Sequence, residues 1–271
     1  MVLLASALPA VSLLLTTSSV APRAVLRAVR GRGRWIASSA AAVTPVELAE
    51  RSCSEEPRRF AELREETQQR WPGGAHMVSG AQQGRLLHIL VRLSRASRVL
   101  EVGCFSGYAA LWMALALPPG GALLSLERDE RAAEVARRHL DASGVGERVE
   151  LRVGDAFESL QALHADASRF ELVVWDRDGD EARSQGATPP SAAMALRRIA
   201  PLLAPHGLLV VRHAPCGAGG DGGEGYSQQV QITDLLAAAS GGSPTMGVVT
   251  LPSPDGDGGL LSLVGFADGA E

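Results

Sequence analysis

The chain has 271 residues, of which 46% are hydrophobic and 21% are charged, and this composition excludes a disordered or fibrous protein. All 26 cationic residues are arginines, so no lysine is present to act as a base or to form a Schiff base. Residues 1–40 hold five arginines and no acid, so the rest of the chain is acidic, which argues against nucleic acid as the main partner.

Residues 1–40 have the composition of a targeting peptide. An apolar stretch from Met1 to Leu15 precedes an arginine- and serine-containing run without acids, which is typical of transit peptides. We predict delivery to an organelle, a mitochondrion or a plastid, and a disordered segment without helix or strand. A secretory signal followed by a plastid transit segment, or a disordered or membrane-anchoring N-terminus, remains open. No apolar run reaches 18 residues, so no stable membrane span is predicted.

Residues 41–75 are predicted to form an N-terminal helical extension, in which Pro57 separates two helices. Residues 76–271 are predicted to form the main domain. Its first helix covers Gln82 to Leu93, where leucines recur on one face.

From Arg98 onward, apolar strand patterns alternate with amphipathic helix patterns. The predicted strands are 98–102, 122–127, 148–153, 170–175 and 207–212, and the predicted helices are 107–117, 129–142, 156–164, 190–204 and 226–239. Two further strands, 246–252 and 260–266, follow each other directly. This order predicts an α/β fold: a doubly wound, mostly parallel, Rossmann-like seven-stranded sheet with a C-terminal antiparallel hairpin.

The sequence LEVGCFSGY at 100–108 is the strongest ligand-binding motif. Its glycines, Gly103 and Gly107, would let the backbone approach a ligand at the carboxyl end of a parallel strand. An acid, Glu101, stands where a pyrophosphate would be repelled, which favours S-adenosylmethionine (AdoMet) over a dinucleotide. A tight strand-to-helix turn without a ligand is the alternative.

Two further strand ends carry acids. Glu127 ends the second strand, 26 residues after Glu101, where a carboxylate can accept both ribose hydroxyl protons. Asp155, in the run Gly154-Asp155-Ala156, follows the third strand, where adenine would lie over small residues. Each acid taken alone could instead cap a helix.

From about Met77 to Phe266 the chain resembles the catechol and caffeoyl-CoA O-methyltransferases, a family of class I AdoMet-dependent enzymes. The resemblance is carried by the helix Gln83 to Leu87, by the motif at 100–121, and by GDA at 154–156, FELVVWDRD at 170–178 and LLAPHGLLVV at 202–211. It implies an AdoMet site, and with the motif residues above the predicted cofactor-binding set is Ser79, Glu101, Gly103, Cys104, Gly107, Tyr108, Glu127, Asp155, Ala156 and Asp178.

The catalytic centre departs from that family. Its divalent cation is held by two aspartates and an asparagine beside a lysine, and the matching positions here are Asp176, Arg212, His213 and Gly179. A guanidinium cannot ligate a metal, so we predict no metal site. Instead we predict Arg212 paired with Asp176, and His213 as a general base. A decayed site, with His213 as a solvated loop histidine, is the alternative.

The predicted function is O-methylation of a small, phenolic acceptor. Two alternatives remain: an AdoMet-binding protein without catalysis, and a methyltransferase acting on nitrogen or carbon. The glycine-rich run at 217–225 is expected to form a lid beside the acceptor cleft. DRDGD at 176–180 does not continue as a calcium loop. The oligomeric state stays open, a homodimer included.

Overall fold

A computed structural model describes residues 27–31, 34–38, 48, 51–74, 77–176, 192–213, 246–252 and 260–266. The chain divides into two compact units, Met1–Ser52 and Cys53–Glu271. The predicted helix at 226–239 and the predicted lid at 217–225 lie outside the described residues.

The first unit contains a β-hairpin that the sequence analysis did not predict. Strands β1 (Arg27–Gly31) and β2 (Arg34–Ser38) pair antiparallel, with Gly31 opposite Arg34. Valine, tryptophan and isoleucine favour strands, and a short loop containing glycine favours a hairpin. The predicted absence of strands in residues 1–40 is therefore wrong, because that prediction rested on the arginine-rich composition and not on this local pattern.

The second unit contains six helices and seven strands in the described residues. The helices are α1 (Arg58–Arg70), α2 (Ala81–Ser94), α3 (Tyr108–Ala116), α4 (Glu130–Ala142), α5 (Ala156–Ala165) and α6 (Ala192–Ile199). The strands are β3 (Arg98–Val102), β4 (Ala122–Glu127), β5 (Val149–Val153), β6 (Phe170–Asp176), β7 (Leu203–His213), β8 (Met246–Pro252) and β9 (Leu260–Phe266). No helix among the described residues is long and apolar enough to cross a membrane.

The seven strands form one sheet in the order β5-β4-β3-β6-β7-β9-β8. Strands β3 to β7 run parallel, and β9 pairs antiparallel with both β7 and β8. The predicted fold class, a mostly parallel doubly wound sheet with a C-terminal antiparallel hairpin, is therefore confirmed. The last strand of the chain lies inside the sheet, between β7 and β8.

Strand β7 begins earlier than predicted, at Leu203 instead of residue 207. Leu203 pairs with Phe170, and the register then shifts so that Leu208 pairs with Leu172. His206 has a φ of 59°, a left-handed conformation that accommodates this irregularity. The predicted helix at 190–204 accordingly ends at Ile199 and is followed by a short 3₁₀ turn.

Apolar residues on the two faces of the sheet form two cores. In β3, Val99 packs with helices α1 to α4, and Leu100 packs with α5 and α6, because successive strand residues point to opposite faces. Helix α1 buries Phe60 and Leu63 in the first core. We had placed this helix in an extension ahead of the main domain, but it belongs to the same compact unit as the sheet.

Candidate functional site

A cavity of about 270 Å³ opens at the carboxyl ends of strands β3, β4, β5 and β6. This is where doubly wound sheets bind ligands. Eight of the predicted site residues line it: Ser79, Gly103, Cys104, Tyr108, Glu127, Asp155, Ala156 and Asp176. The folded sheet thus brings together residues that are up to 97 positions apart in the chain.

Gly103 begins the loop between β3 and α3, and its conformation requires glycine. Its φ is 95°, and an added Cβ would lie 3.2 Å from the carbonyl oxygen of Asp176. A side chain there would suffer from left-handed strain and from crowding. The loop backbone therefore passes close to the end of β6.

Gly107 also has a positive φ, of 88°, but its glycine requirement has another cause. An added Cβ would lie 2.7 Å from the Cβ of Ala136 in α4. Gly107 thus allows the start of α3 to pack on α4. We had predicted that it binds cofactor, whereas the described cavity wall is formed by its neighbours Ser106 and Tyr108.

Glu127 connects the end of β4 to the loop after β3. One carboxylate oxygen accepts hydrogen bonds from the backbone amides of Cys104 and Phe105, at 3.1 and 2.5 Å. The other oxygen accepts from the amides of Arg128 and Asp129, both at 2.8 Å. The carboxylate is therefore fixed at the cavity wall, with its position set by four backbone donors.

Asp155 and Ala156 lie where α5 begins. The Asp155 side chain accepts hydrogen bonds from the amides of Phe157 and Glu158, at 2.6 and 3.1 Å, so it caps the helix. Asp155 and Ala156 also line the cavity, next to Phe157. Asp155 therefore caps helix α5, which is the alternative role given for this acid, and it also lies in the cavity wall.

Glu101 lies beneath the loop, not in the cavity wall. Its residue is 1% exposed, and its carboxyl accepts a hydrogen bond from the Ser125 hydroxyl. Burial raises the pKa of Glu101 to about 8. Burial likewise raises the pKa of the neighbouring Cys104 thiol well above its usual value. The Glu101 carboxyl therefore stays protonated at neutral pH, and this neutral form can remain buried next to Ser125 without the cost of a buried charge.

The predicted pair of Arg212 and Asp176 is present. The Arg212 Nη1 lies 2.8 Å from Asp176 Oδ2 and 3.1 Å from the Met77 carbonyl oxygen. The guanidinium is almost fully buried, with 3% of its side chain exposed, against 20% for Asp176. Arg212 reaches the cavity through these two residues, both of which line it.

This arrangement does not fit a divalent cation. Asp176, which matches a metal-binding aspartate in the resemblance, accepts a hydrogen bond from the Arg212 guanidinium instead. Within the described residues, no group of three or more histidines, cysteines or acids is positioned to hold a metal. A cation would have to approach a fixed positive charge that cannot ligate it.

Two predicted site residues cannot be placed as side chains. His213 ends β7, where its backbone pairs with Leu260, but its side chain lies outside the described part of the structure. Asp178 lies outside the described residues altogether, as does Gly179.

The sequence analysis missed the apolar part of the cavity wall. Its members are large side chains adjacent to the predicted residues: Met77, Val78, Phe105, Phe157 and Trp175. Each stands within two positions of a predicted site residue or of the glycine loop. Their proximity in sequence was the available signal, but apolar residues beside strands are also what a core would contain.

Comparisons with known proteins agree with this geometry. The family model described as O-methyltransferase matches residues 49–183. A catechol O-methyltransferase from Niastella koreensis is 38% identical over 97 residues, which are 35% of this chain and 44% of that protein. Caffeoyl-CoA O-methyltransferase 2 from Zea mays is 33% identical over 128 residues, which are 46% of this chain and 48% of that protein. The matched region thus spans about half the length of these curated relatives.

A solved structure matches over a longer part of the chain. The O-methyltransferase TomG from Streptomyces achromogenes, involved in tomaymycin synthesis and crystallised in complex with SAM, superimposes with a TM-score of 0.65 at 25% identity. The match covers 81% of this chain and 94% of that one. Both the sheet and the helices around the cavity therefore have a counterpart in a solved protein of this kind.

Proposed function

We propose that the chain is an O-methyltransferase of the kind that its family match and its curated relatives indicate, and that it binds AdoMet in the cavity and methylates a hydroxyl of a small, phenolic acceptor. The observation that carries the proposal is the fixed carboxylate of Glu127 beside the loop of Gly103, at the carboxyl ends of adjacent parallel strands. The phenolic class of the acceptor follows from the curated relatives, which act on catechol and caffeoyl-CoA according to their names.

The residues of the cavity fit the parts of AdoMet. The Glu127 carboxylate, whose oxygens accept four backbone hydrogen bonds in this structure, would accept the ribose hydroxyls in exchange for part of these bonds. Asp155, Ala156 and Phe157 form a wall with a carboxylate and an apolar surface, which suits adenine. Gly103 lets the loop backbone pass close to Asp176 at the end of β6, and both residues line the cavity that would hold the rest of the molecule.

The bound cofactor supplies an activated methyl group, so the protein has two tasks. It must hold the acceptor oxygen in line with that group and take up its proton. Met77, Val78 and Trp175 give the cavity an apolar side that excludes water from an aromatic acceptor. His213 follows Arg212 at the end of β7. We assign His213 the role of general base that removes the proton of the acceptor hydroxyl, since an imidazole titrates near neutral pH.

The same proposal includes catalysis without a divalent cation. Arg212 occupies the position of a metal-binding aspartate, and its charge already satisfies Asp176. Two like charges about 4 Å apart repel by about 4 kcal/mol at an effective dielectric constant near 20. That repulsion opposes a cation strongly, while Arg212 supplies a positive charge behind the acceptor oxygen.

The deciding experiment measures AdoMet binding by calorimetry and then methyl transfer to catechol and caffeic acid, with and without EDTA. We expect binding, an O-methylated product, no effect of EDTA, and a large loss of turnover in His213→Ala. His164→Ala is the matched control, because His164 hydrogen-bonds to the Arg198 carbonyl on the far core face.

The possible results separate the parts of the proposal. Activity that EDTA abolishes and Mg²⁺ restores contradicts the metal-free mechanism but not the methyltransferase. Binding of AdoMet without turnover on any phenol supports the non-catalytic alternative. Failure to bind AdoMet contradicts the proposed function as a whole.

A further inference from the structure

Helix α1 and the residues that flank it touch the loop between β3 and α3, and the first residue of α3, at three successive places. Thr67 hydrogen-bonds to Ser106, Glu56 to Tyr108, and the Trp71 ring lies 5.2 Å from the Phe105 ring. The residues of the loop and of the start of α3 in these contacts, Phe105, Ser106 and Tyr108, all line the cavity. The outer side of the loop is therefore covered by a segment that lies ahead of the motifs that carry the resemblance but within the family match, which begins at residue 49.

The bond between Thr67 and Ser106 has a direction that chemistry decides. The Thr67 hydroxyl lies 2.7 Å from the Leu63 carbonyl oxygen and 2.8 Å from Ser106 Oγ. A carbonyl can only accept and a hydroxyl carries one proton, so Thr67 donates to Leu63 and accepts from Ser106. Both residues are buried, at 0 and 1% exposure. Ser106 therefore donates its hydroxyl proton to Thr67 of α1, and this hydrogen bond fixes the rotamer of the Ser106 side chain.

Tyr108 is held by a second polar contact. Its hydroxyl donates to one oxygen of Glu56, whose other oxygen accepts from Arg64 Nη2 at 2.5 Å. Burial, with the Glu56 carboxylate next to it, raises the pKa of Tyr108. The phenol therefore stays protonated and keeps donating to Glu56 throughout the neutral range.

Helix α1 is itself anchored at both ends of this contact zone. The Phe60 ring stacks on Trp112 of α3, with centroids 3.9 Å apart. On the other side, Glu66 accepts hydrogen bonds from Arg138 and His139 of α4. Since α1 is fixed to both α3 and α4, it can hold the loop that precedes α3.

We propose that α1 positions the cofactor-binding loop, with Thr67 and Glu56 as positioning residues that fix Ser106 and Tyr108 for AdoMet. The inference rests on the proposed function, because the ligand of the loop is AdoMet. It assigns a role in the site to a segment that the sequence analysis had treated as an extension. A loop held from outside loses less conformational entropy when the ligand binds.

The first test needs no cofactor. Amide hydrogen exchange is measured on the full chain for Thr67→Val, Ser106→Ala and the conservative Thr67→Ser. We expect the amides of residues 104–107 to exchange about three to ten times faster in the first two variants and near wild type in Thr67→Ser. Ser94→Ala is the matched control, because Ser94 makes the same bond to the carbonyl four residues earlier, with no link to the loop. Unchanged exchange in Ser106→Ala overturns the inference, even if Thr67→Val fails to fold.

The second test measures AdoMet affinity by calorimetry in the same variants. We expect Thr67→Val and Ser106→Ala each to weaken AdoMet binding about three- to tenfold, and Thr67→Ser to bind like the wild type. The double variant Thr67→Val/Ser106→Ala should lose no more affinity than the single variant with the larger loss, because both changes remove the same hydrogen bond. Tyr108→Phe, which removes the donor to Glu56, should weaken binding by a similar factor. Equal affinity in wild type and variants overturns the positioning role, even where exchange has changed. No binding in wild type overturns the proposed function instead, and the exchange data then stand by themselves.

Discussion

Arg212, which is almost fully buried, and Asp176, which is partly buried, form an ion pair across strands β7 and β6, where their backbones are register partners. The same Arg212 nitrogen also binds the Met77 carbonyl, so one side chain joins the sheet to the segment that covers the cavity. Arg212 thus places a positive charge, as part of the protein's own covalent structure, directly beside the Asp176 carboxylate at the cavity wall.

Replacing Arg212 with methionine should therefore cost stability. Arg212→Met leaves Asp176 without this buried partner, and we expect the free energy of unfolding in urea to fall by about 3 kcal/mol. Arg152→Met is the control, because Arg152 pairs with an exposed Glu150 and should cost less than about 1 kcal/mol. Equal losses in the two variants would show that the pair contributes no more than a surface ion pair.

Glu127→Ala should weaken AdoMet binding about tenfold or more, because a hydrogen bond to a charged group contributes about 1.5–3 kcal/mol. Calorimetry on the full chain measures it. Glu150→Ala removes an exposed carboxylate on the neighbouring strand β5 and serves as the control. Wild-type affinity in Glu127→Ala contradicts the assignment of this carboxylate to the ribose.

Glu101 should make stability fall as the pH rises. Its pKa is about 8 in the folded protein because of burial, against 4.5 ordinarily. Between these values the folded state keeps a proton that the unfolded state has lost, so the contribution is complete below about pH 4.5 and lost as the pH rises through 8.

Urea unfolding at several pH values tests this with Glu101→Gln, which remains uncharged. We expect the variant to lack that part of the decline between pH 5 and 8. Glu150→Gln, with an exposed carboxylate, should follow the wild type. Parallel curves for wild type and Glu101→Gln would falsify the assignment.

Gly107→Ala should destabilise the protein more than Gly120→Ala does. Both glycines have a positive φ, 88° and 76°, but only the first faces a close neighbour, since an added Cβ at Gly120 meets nothing within 4 Å. Left-handed strain costs about 1–2 kcal/mol, and overpacking against Ala136 adds about 1–3 kcal/mol. Thermal and urea unfolding measure the difference, and equal losses would contradict the packing role.

We keep the proposal that residues 1–40 are a targeting peptide. Mass spectrometry of the protein from its native source should then show a mature chain without them, because transit peptides are removed after import. Fusion of this segment to a fluorescent protein should direct it to a mitochondrion or plastid. A mature chain that retains Met1 contradicts removal.

Sequence patterns predicted strands β3, β4 and β6 closely because these strands are short and mostly buried. Strands β3 and β4 match the predicted bounds. The prediction that Glu127 ends β4 is confirmed for the same reason. The bounds of β7 were predicted less well, because the early pairing of Leu203 depends on contact with Phe170 and not on local residue preference.

The sequence by itself determined the fold class, the glycine loop, and the positive charge of Arg212 at the end of β7, because period, loop chemistry and residue type are local properties. Only the tertiary structure decided that β9 lies between β7 and β8, that Glu101 is buried against Ser125 and Gly107 against Ala136, and that Thr67 of α1 bonds to Ser106. The physical reason is that burial, hydrogen-bond direction and steric contact arise between residues far apart in the chain, and folding alone brings those residues together.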